Sequence, residues 1–152
     1  MQTMKKIIFS NEAPKAIGPY SQANEANGFL FISGQIPIDP SSGQLVDGGI
    51  KEQTHQVMKN IGAILKEAGL DYKDVVKCTC LLSNMEHFSE MNLVYAQYFT
   101  IDAPARAAYG VVKLPMGALI EIECIAVRWT KRKAVSSFTE GTASDRLTKN
   151  LI

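Results

Sequence analysis

The chain has 152 residues, 46% of them hydrophobic and 20% charged, with a formal net charge of +1. That length suits one domain able to bury roughly 70% of its extended surface, and the balanced charge gives no bulk electrostatic hold on nucleic acid or an anionic membrane. No apolar run reaches the ~18 residues of a membrane helix, the N-terminus does not read as a signal peptide, and three cysteines without framework spacing suit a reducing compartment, the cytoplasm or the mitochondrial matrix.

Residues 1–3 read as a leader, with Met4 a second candidate start. Lys5 to Phe9 forms a first strand, and Asn11 to Pro19 is loop because it holds two prolines and a glycine. Tyr20 to Ala23 reads as a short strand. Asn27-Gly28 then turns the chain into Phe29-Leu30-Phe31-Ile32-Ser33, apolar on both faces as central strands are. Pro37 ends that strand. From about Ile50 to Ala68 the period becomes helical: Val57, Met58, Ile61, Ile64, Leu65 and Ala68 form the stripe, and Gly69 closes it. Val75 to Ser83 alternates, with Val76, Cys78, Cys80 and Leu82 on one face. A second helix over about 85–99 carries Phe88, Met91, Tyr95, Tyr98 and Phe99 as its stripe, and Asn92 lies on that apolar side.

The stretch from Pro104 to Trp129 organises the rest. Pro104-Ala105-Arg106-Ala107-Ala108 opens one strand, and Ile120-Glu121-Ile122-Glu123-Cys124-Ile125 lies in another. Glu121, Glu123, Ile125, Val127 and Trp129 share one face, which starts charged and turns apolar. Glu123 therefore sits between a wet and a greasy neighbour, and a carboxylate there is paired or has its pKa shifted. Glu121 reads as the solvated partner. Small residues around Arg106 leave room for a ligand to reach the guanidinium, which binds carboxylates through two parallel hydrogen bonds. The bland alternative is an arginine paired with a nearby acid, and for Glu123 a cross-strand partner for a cation. Cys78, Cys80 and Cys124 read as core, and His55 and His87 as neither bases nor metal ligands. No glycine-rich phosphate loop and no zinc-spaced Cys/His set occurs, so no cofactor and no metal is expected.

Strands, helix, strand, helix and two strands give an α+β domain: a mixed sheet of about six strands with two helices on one face. The other face stays apolar, and self-association is the simplest way to bury it. Residues 1–130 make this domain. Residues 131–152 open with Lys131-Arg132-Lys133, continue mostly polar, and read as a flexible or loosely docked tail.

Pro104-Ala105-Arg106 followed by Ile120-Glu121-Ile122-Glu123, with Ile17-Gly18-Pro19-Tyr20, Ser33-Gly34-Gln35-Ile36-Pro37 and Asn92 in order, resembles the signature of the RidA (YjgF/YER057c/UK114) family over about residues 4–129. The resemblance implies a chorismate-mutase-like fold and a homotrimer with active sites between subunits. It implies hydrolysis of reactive 2-enamine or 2-imine acids, such as 2-iminopropanoate and 2-iminobutanoate, to 2-oxo acids and ammonia, without a cofactor. On this reading Arg106 holds the carboxylate, Glu123 with the Gly34 backbone handles water and protons, and Tyr20 orients the ligand. Ser33 and Ala108 complete the pocket, and Asn92 braces it or touches the ligand. Ala108 stands where the family often carries a cysteine, which argues against covalent thiol catalysis, and Val112 is larger than the usual residue at its place. A non-catalytic small-carboxylate sensor or partner-binding trimer is the runner-up. A ribonuclease, attached to some family members, fits less well with balanced charge and no histidine pair.

Overall fold

The structure is a computed structural model and describes residues 4–129. The expected tail at 131–152 lies outside the described residues. Six strands form one sheet: β1 (Lys6–Ile8), β2 (Ala23–Ala26), β3 (Phe29–Gln35), β4 (Val75–Leu82), β5 (Ala105–Gly110) and β6 (Ile120–Val127). Their spatial order is β1-β2-β3-β6-β4-β5. All neighbours are antiparallel except β4 and β5. That parallel pair needs a crossover, and the second helix, α2 (Phe88–Tyr95), lies within it.

The first helix, α1 (Ile50–Glu67), buries Val57, Met58, Ile61, Ile64 and Leu65 as its period requires. Its start is fixed by Glu52, whose carboxylate accepts the Gly49 N–H at 2.8 Å. Its end turns at Gly69, with φ +70°, where Leu70 N–H donates back to Leu65 O at 2.9 Å. Both helices pack on one face of the sheet, and the core lies between the layers: Leu30 and Ile32 from β3, Cys78, Cys80 and Leu82 from β4, and Ile120, Ile122, Cys124 and Ala126 from β6. The three cysteines are free thiols in that core.

Polar groups on the buried face of α1 tie down the loops beside the sheet. Asn60 donates to Ile36 O and Ile38 O, at 3.3 and 2.9 Å. Gln53 accepts the Leu119 N–H at 2.8 Å, just before β6 begins. At the far end of β6, Arg128 pairs with Glu25 through two bonds of 2.7 and 3.0 Å and also donates to Ala68 O. This fork joins strand β2, strand β6 and the end of α1.

Among the described residues the opposite face of the sheet carries no second layer. Phe29 and Phe31 keep 45% and 44% of their surface there, so one chain leaves about half of each ring in water. The apolar-on-both-sides reading of this strand is therefore correct for its pattern.

Three boundaries differ from expectation. The short strand begins at Ala23, leaving Tyr20 in the loop before it. The second helix is shorter than 85–99: a 3₁₀ turn over Met85–His87 precedes α2, because the Asn84 side chain caps Glu86 N–H at 3.0 Å. Val75, rather than Val76, is buried at the start of β4, because the pairing with β6 shifts register between Val75 and Lys77.

Candidate active site

A cleft of about 350 Å³ opens beside the C-terminal half of β3, lined among others by Tyr20, Ser33, Gly34, Ile38, Pro115 and Glu121. The bulge in β3 shapes it. Ile32 pairs with Cys124 and Gln35 with Ile122, so Ser33 and Gly34 together span the single residue Glu123. Such a bulge bends the strand and re-aims its side chains. Ser33 is fixed by its hydroxyl, which donates to Ser21 O at 2.7 Å, and by its N–H, which donates to Gln22 O at 3.0 Å. It thus satisfies backbone groups and lines the cleft at once. The Tyr20 hydroxyl accepts the Ile17 N–H at 3.3 Å. Sequence reasoning missed Gln22, a buried amide that holds the loop ahead of Tyr20 through Ser10 and Pro14. Nothing in the sequence distinguishes it from a surface glutamine.

Gly34 has a steric reason to be glycine. A Cβ at this position would overlap the Glu121 carboxylate, which fills the space left by the missing side chain. The two glutamates therefore exchange the environments expected for them. Glu123 is exposed on the bare face of the sheet and does not line the cleft, whereas Glu121 is half-buried within it. The physical reason is the covering layer. The cleft walls close over Glu121, while Glu123 faces the uncovered side level with Thr79 of β4. Burial raises the Glu121 pKa above the usual carboxylate value, and the charge of Glu123 raises it further.

Arg106 is not among the residues lining the cleft. It lies on the edge strand β5, level with Cys78, and its side chain reaches the helix-covered face. There Nη1 donates to Asn92 Oδ1 at 2.7 Å, and the guanidinium carbon lies 4.8 Å from the Tyr95 ring centre and 5.5 Å from that of Phe88. Among the described residues no carboxylate pairs with Arg106, so the bland reading of a surface ion pair does not hold. Asn92 thus faces the guanidinium from α2. Phe88 and Tyr95, read from the sequence as core stripe alone, have a second role against the guanidinium. Ala108 lies two residues along the same strand, packed against the core. His55 is engaged elsewhere, with Nδ1 2.9 Å from the Tyr98 hydroxyl.

The molecule thus presents two groups of candidate residues: Tyr20, Ser33, Gly34 and Glu121 in the cleft, and Arg106 with Asn92 under α2. Comparison with known proteins places the chain in a family. The family model described as Endoribonuclease L-PSP matches residues 10–128. A RutC family protein of Pyrococcus horikoshii is 56% identical over 125 residues, covering 82% of this chain and 99% of that one. A Mus musculus protein named 2-iminobutanoate/2-iminopropanoate deaminase is 52% identical over 125 residues, 82% of this chain and 93% of its own. The crystal structure of a Thermotoga maritima protein superposes with a TM-score of 0.81 at 48% identity, covering 84% of this chain and all 100% of that one. The chain belongs to the RidA (YjgF/YER057c/UK114) family.

Proposed function

We propose that this protein hydrolyses 2-imino acids, and the 2-enamino acids from which they form, to 2-oxo acids and ammonia. The observation that carries this reading is a half-buried carboxylate, Glu121, seated in a cleft of small-molecule size with its pKa raised by burial. The deaminase name borne by relatives more than half identical supports it.

The chemistry needs few groups. Arg106 holds the substrate carboxylate through its free N–H donors. An enamine takes a proton from solvent at C3 and becomes the protonated imine. Protonated imine carbon is electrophilic, so water adds at C2 without a nucleophilic side chain. Glu121, rather than Glu123, takes the proton of that water. In the carbinolamine the proton passes to nitrogen, the C–N bond breaks and ammonia leaves. The hydroxyl proton returns to the carboxylate as C2 becomes the carbonyl. Tyr20 and the Gly34 backbone orient the ligand.

Arg106 and Glu121 cannot serve one small ligand within one chain. They sit on opposite faces of the sheet, with β4 between their strands, and each strand step adds about 4.8 Å. We therefore assign the complete site to a homotrimer in which one subunit supplies the cleft and its neighbour supplies Arg106. The half-exposed Phe29 and Phe31 would be covered in the same assembly.

The test mixes two inactive subunits. Arg106→Ala and Glu121→Gln chains, each inactive alone, are co-expressed and assayed with a threonine dehydratase supplying imine. Intersubunit sites recover about a quarter of wild-type activity, since random assembly pairs two intact halves at that frequency. No recovery from mixed assemblies overturns the shared site. A wild-type protein that binds 2-oxo acids without accelerating imine loss overturns the enzyme reading in favour of a sensor. Sedimentation equilibrium showing a monomer at micromolar concentration removes the trimer.

A further inference from the structure

The partner of Arg106 is an amide where a carboxylate would bind it more tightly. An arginine has five donors and no acceptor, so Asn92 must present its oxygen, as the 2.7 Å contact requires. The other two neighbours are the rings of Tyr95 and Phe88, at 4.8 and 5.5 Å. All three orient a flat cation without neutralising it. An amide oxygen fixes the direction of one N–H, and an aromatic face favours a guanidinium lying against it. A carboxylate would fix the same N–H and cancel the charge as well.

We propose that Asn92 is a positioning residue. With the Tyr95 and Phe88 rings, it sets the plane of Arg106 while leaving its full charge and remaining donors for an anionic ligand. The proposal rests on the reading above that Arg106 takes a substrate carboxylate, and it adds the reason that the brace is neutral. It also makes a prediction of unusual sign. Asn92→Asp keeps the shape and the acceptor, so it should brace Arg106 at least as firmly. Ligand binding should nevertheless weaken, because the new carboxylate competes with that of the ligand.

The experiment compares wild type, Asn92→Asp and Asn92→Leu. With 2-oxobutanoate as the probe, calorimetry should show Kd raised at least about tenfold in Asn92→Asp. KM for imine should rise in parallel, kcat should change less, and the thermal midpoint should not fall. Asn92→Asp binding 2-oxobutanoate within twofold of wild type overturns the proposal, because a merely structural asparagine would give that result. A second measurement does not depend on activity. In arginine-selective ¹⁵N spectra at low temperature, the two Nη signals of Arg106 should be distinct in wild type and merged in Asn92→Leu. Identical spectra in the two overturn the brace. Should wild type neither bind 2-oxobutanoate nor hydrolyse imine, the deaminase reading falls, and the ¹⁵N comparison alone decides whether Asn92 holds Arg106.

Discussion

In the cleft beside β3, burial and a second carboxylate push Glu121 toward its neutral form. Under α2, an amide and two rings hold Arg106 with its charge uncancelled. The same sheet builds both, on opposite faces, and it treats the two charges in opposite ways. A carboxylate that exchanges protons needs a pKa near the working pH. A cation that binds an anion must stay charged and keep donors free. On the proposed reading neither half alone is a site: one would handle protons without an anchor, and the other would be an anchor without a base.

The largest effect should come from the cleft. Glu121→Gln keeps shape and hydrogen-bonding reach but loses the proton acceptor, so imine hydrolysis should fall about 10²-fold or more. Binding of 2-oxobutanoate should stay within several-fold of wild type. Glu123→Gln, assayed beside it, should retain turnover within a few-fold. If Glu123→Gln carries the loss instead, the reactive carboxylate is the one on the bare face.

Next comes the anchor. Arg106→Ala should lower activity at least about 30-fold while the assembly survives, since removing a charged contact costs on the order of 2–5 kcal/mol. Arg106→Lys should also fail, because a point charge does not reproduce the fork. Activity within a few-fold of wild type in Arg106→Ala would take the arginine out of the comparison.

Gly34→Ala probes the cleft without touching a charge. The added methyl must displace the Glu121 carboxylate, and a misplaced base of this kind should cost about tenfold or more in kcat. Its thermal midpoint should stay near that of wild type, because Glu121 can swing toward solvent. An unaltered kcat would show that Glu121 does not need its present seat.

The smallest effect is a shift in pH. With its pKa raised, Glu121 is still protonated somewhat above 4.5, so the acid limb of kcat/KM should lie above that value. Glu123→Gln removes one cause of the shift and should move the limb to lower pH while leaving the plateau. The stability sign is the reverse of that for a salt-bridged acid. The folded state holds the Glu121 proton more tightly than the unfolded chain, so this group favours folding at low pH and loses that contribution as pH rises through its folded pKa. Glu121→Gln should flatten that decline, measured by denaturant midpoints across the acid range.

The sequence by itself determined the layers of this protein. The helical stripe of α1, the glycine at its end and the alternation of β6 are set by near neighbours in the chain, so local period and capping suffice to read them. The apolar pattern of Phe29 to Ile32 likewise implied a sheet with an uncovered face. Arg106 was legible as a ligand-binding candidate from its small neighbours and the family motif. What only the tertiary structure decided was the environment of each charge. Glu121 and Glu123 share one strand face and look alike in sequence. Which of them is enclosed depends on a bulge at Ser33 and Gly34, in a strand far away along the chain. The neutrality of the Arg106 seat depends on which residues of α2 meet β5 across the layer. Burial and pairing are properties of contacts between distant segments, and a carboxylate's pKa or an arginine's free charge is fixed only when those contacts form.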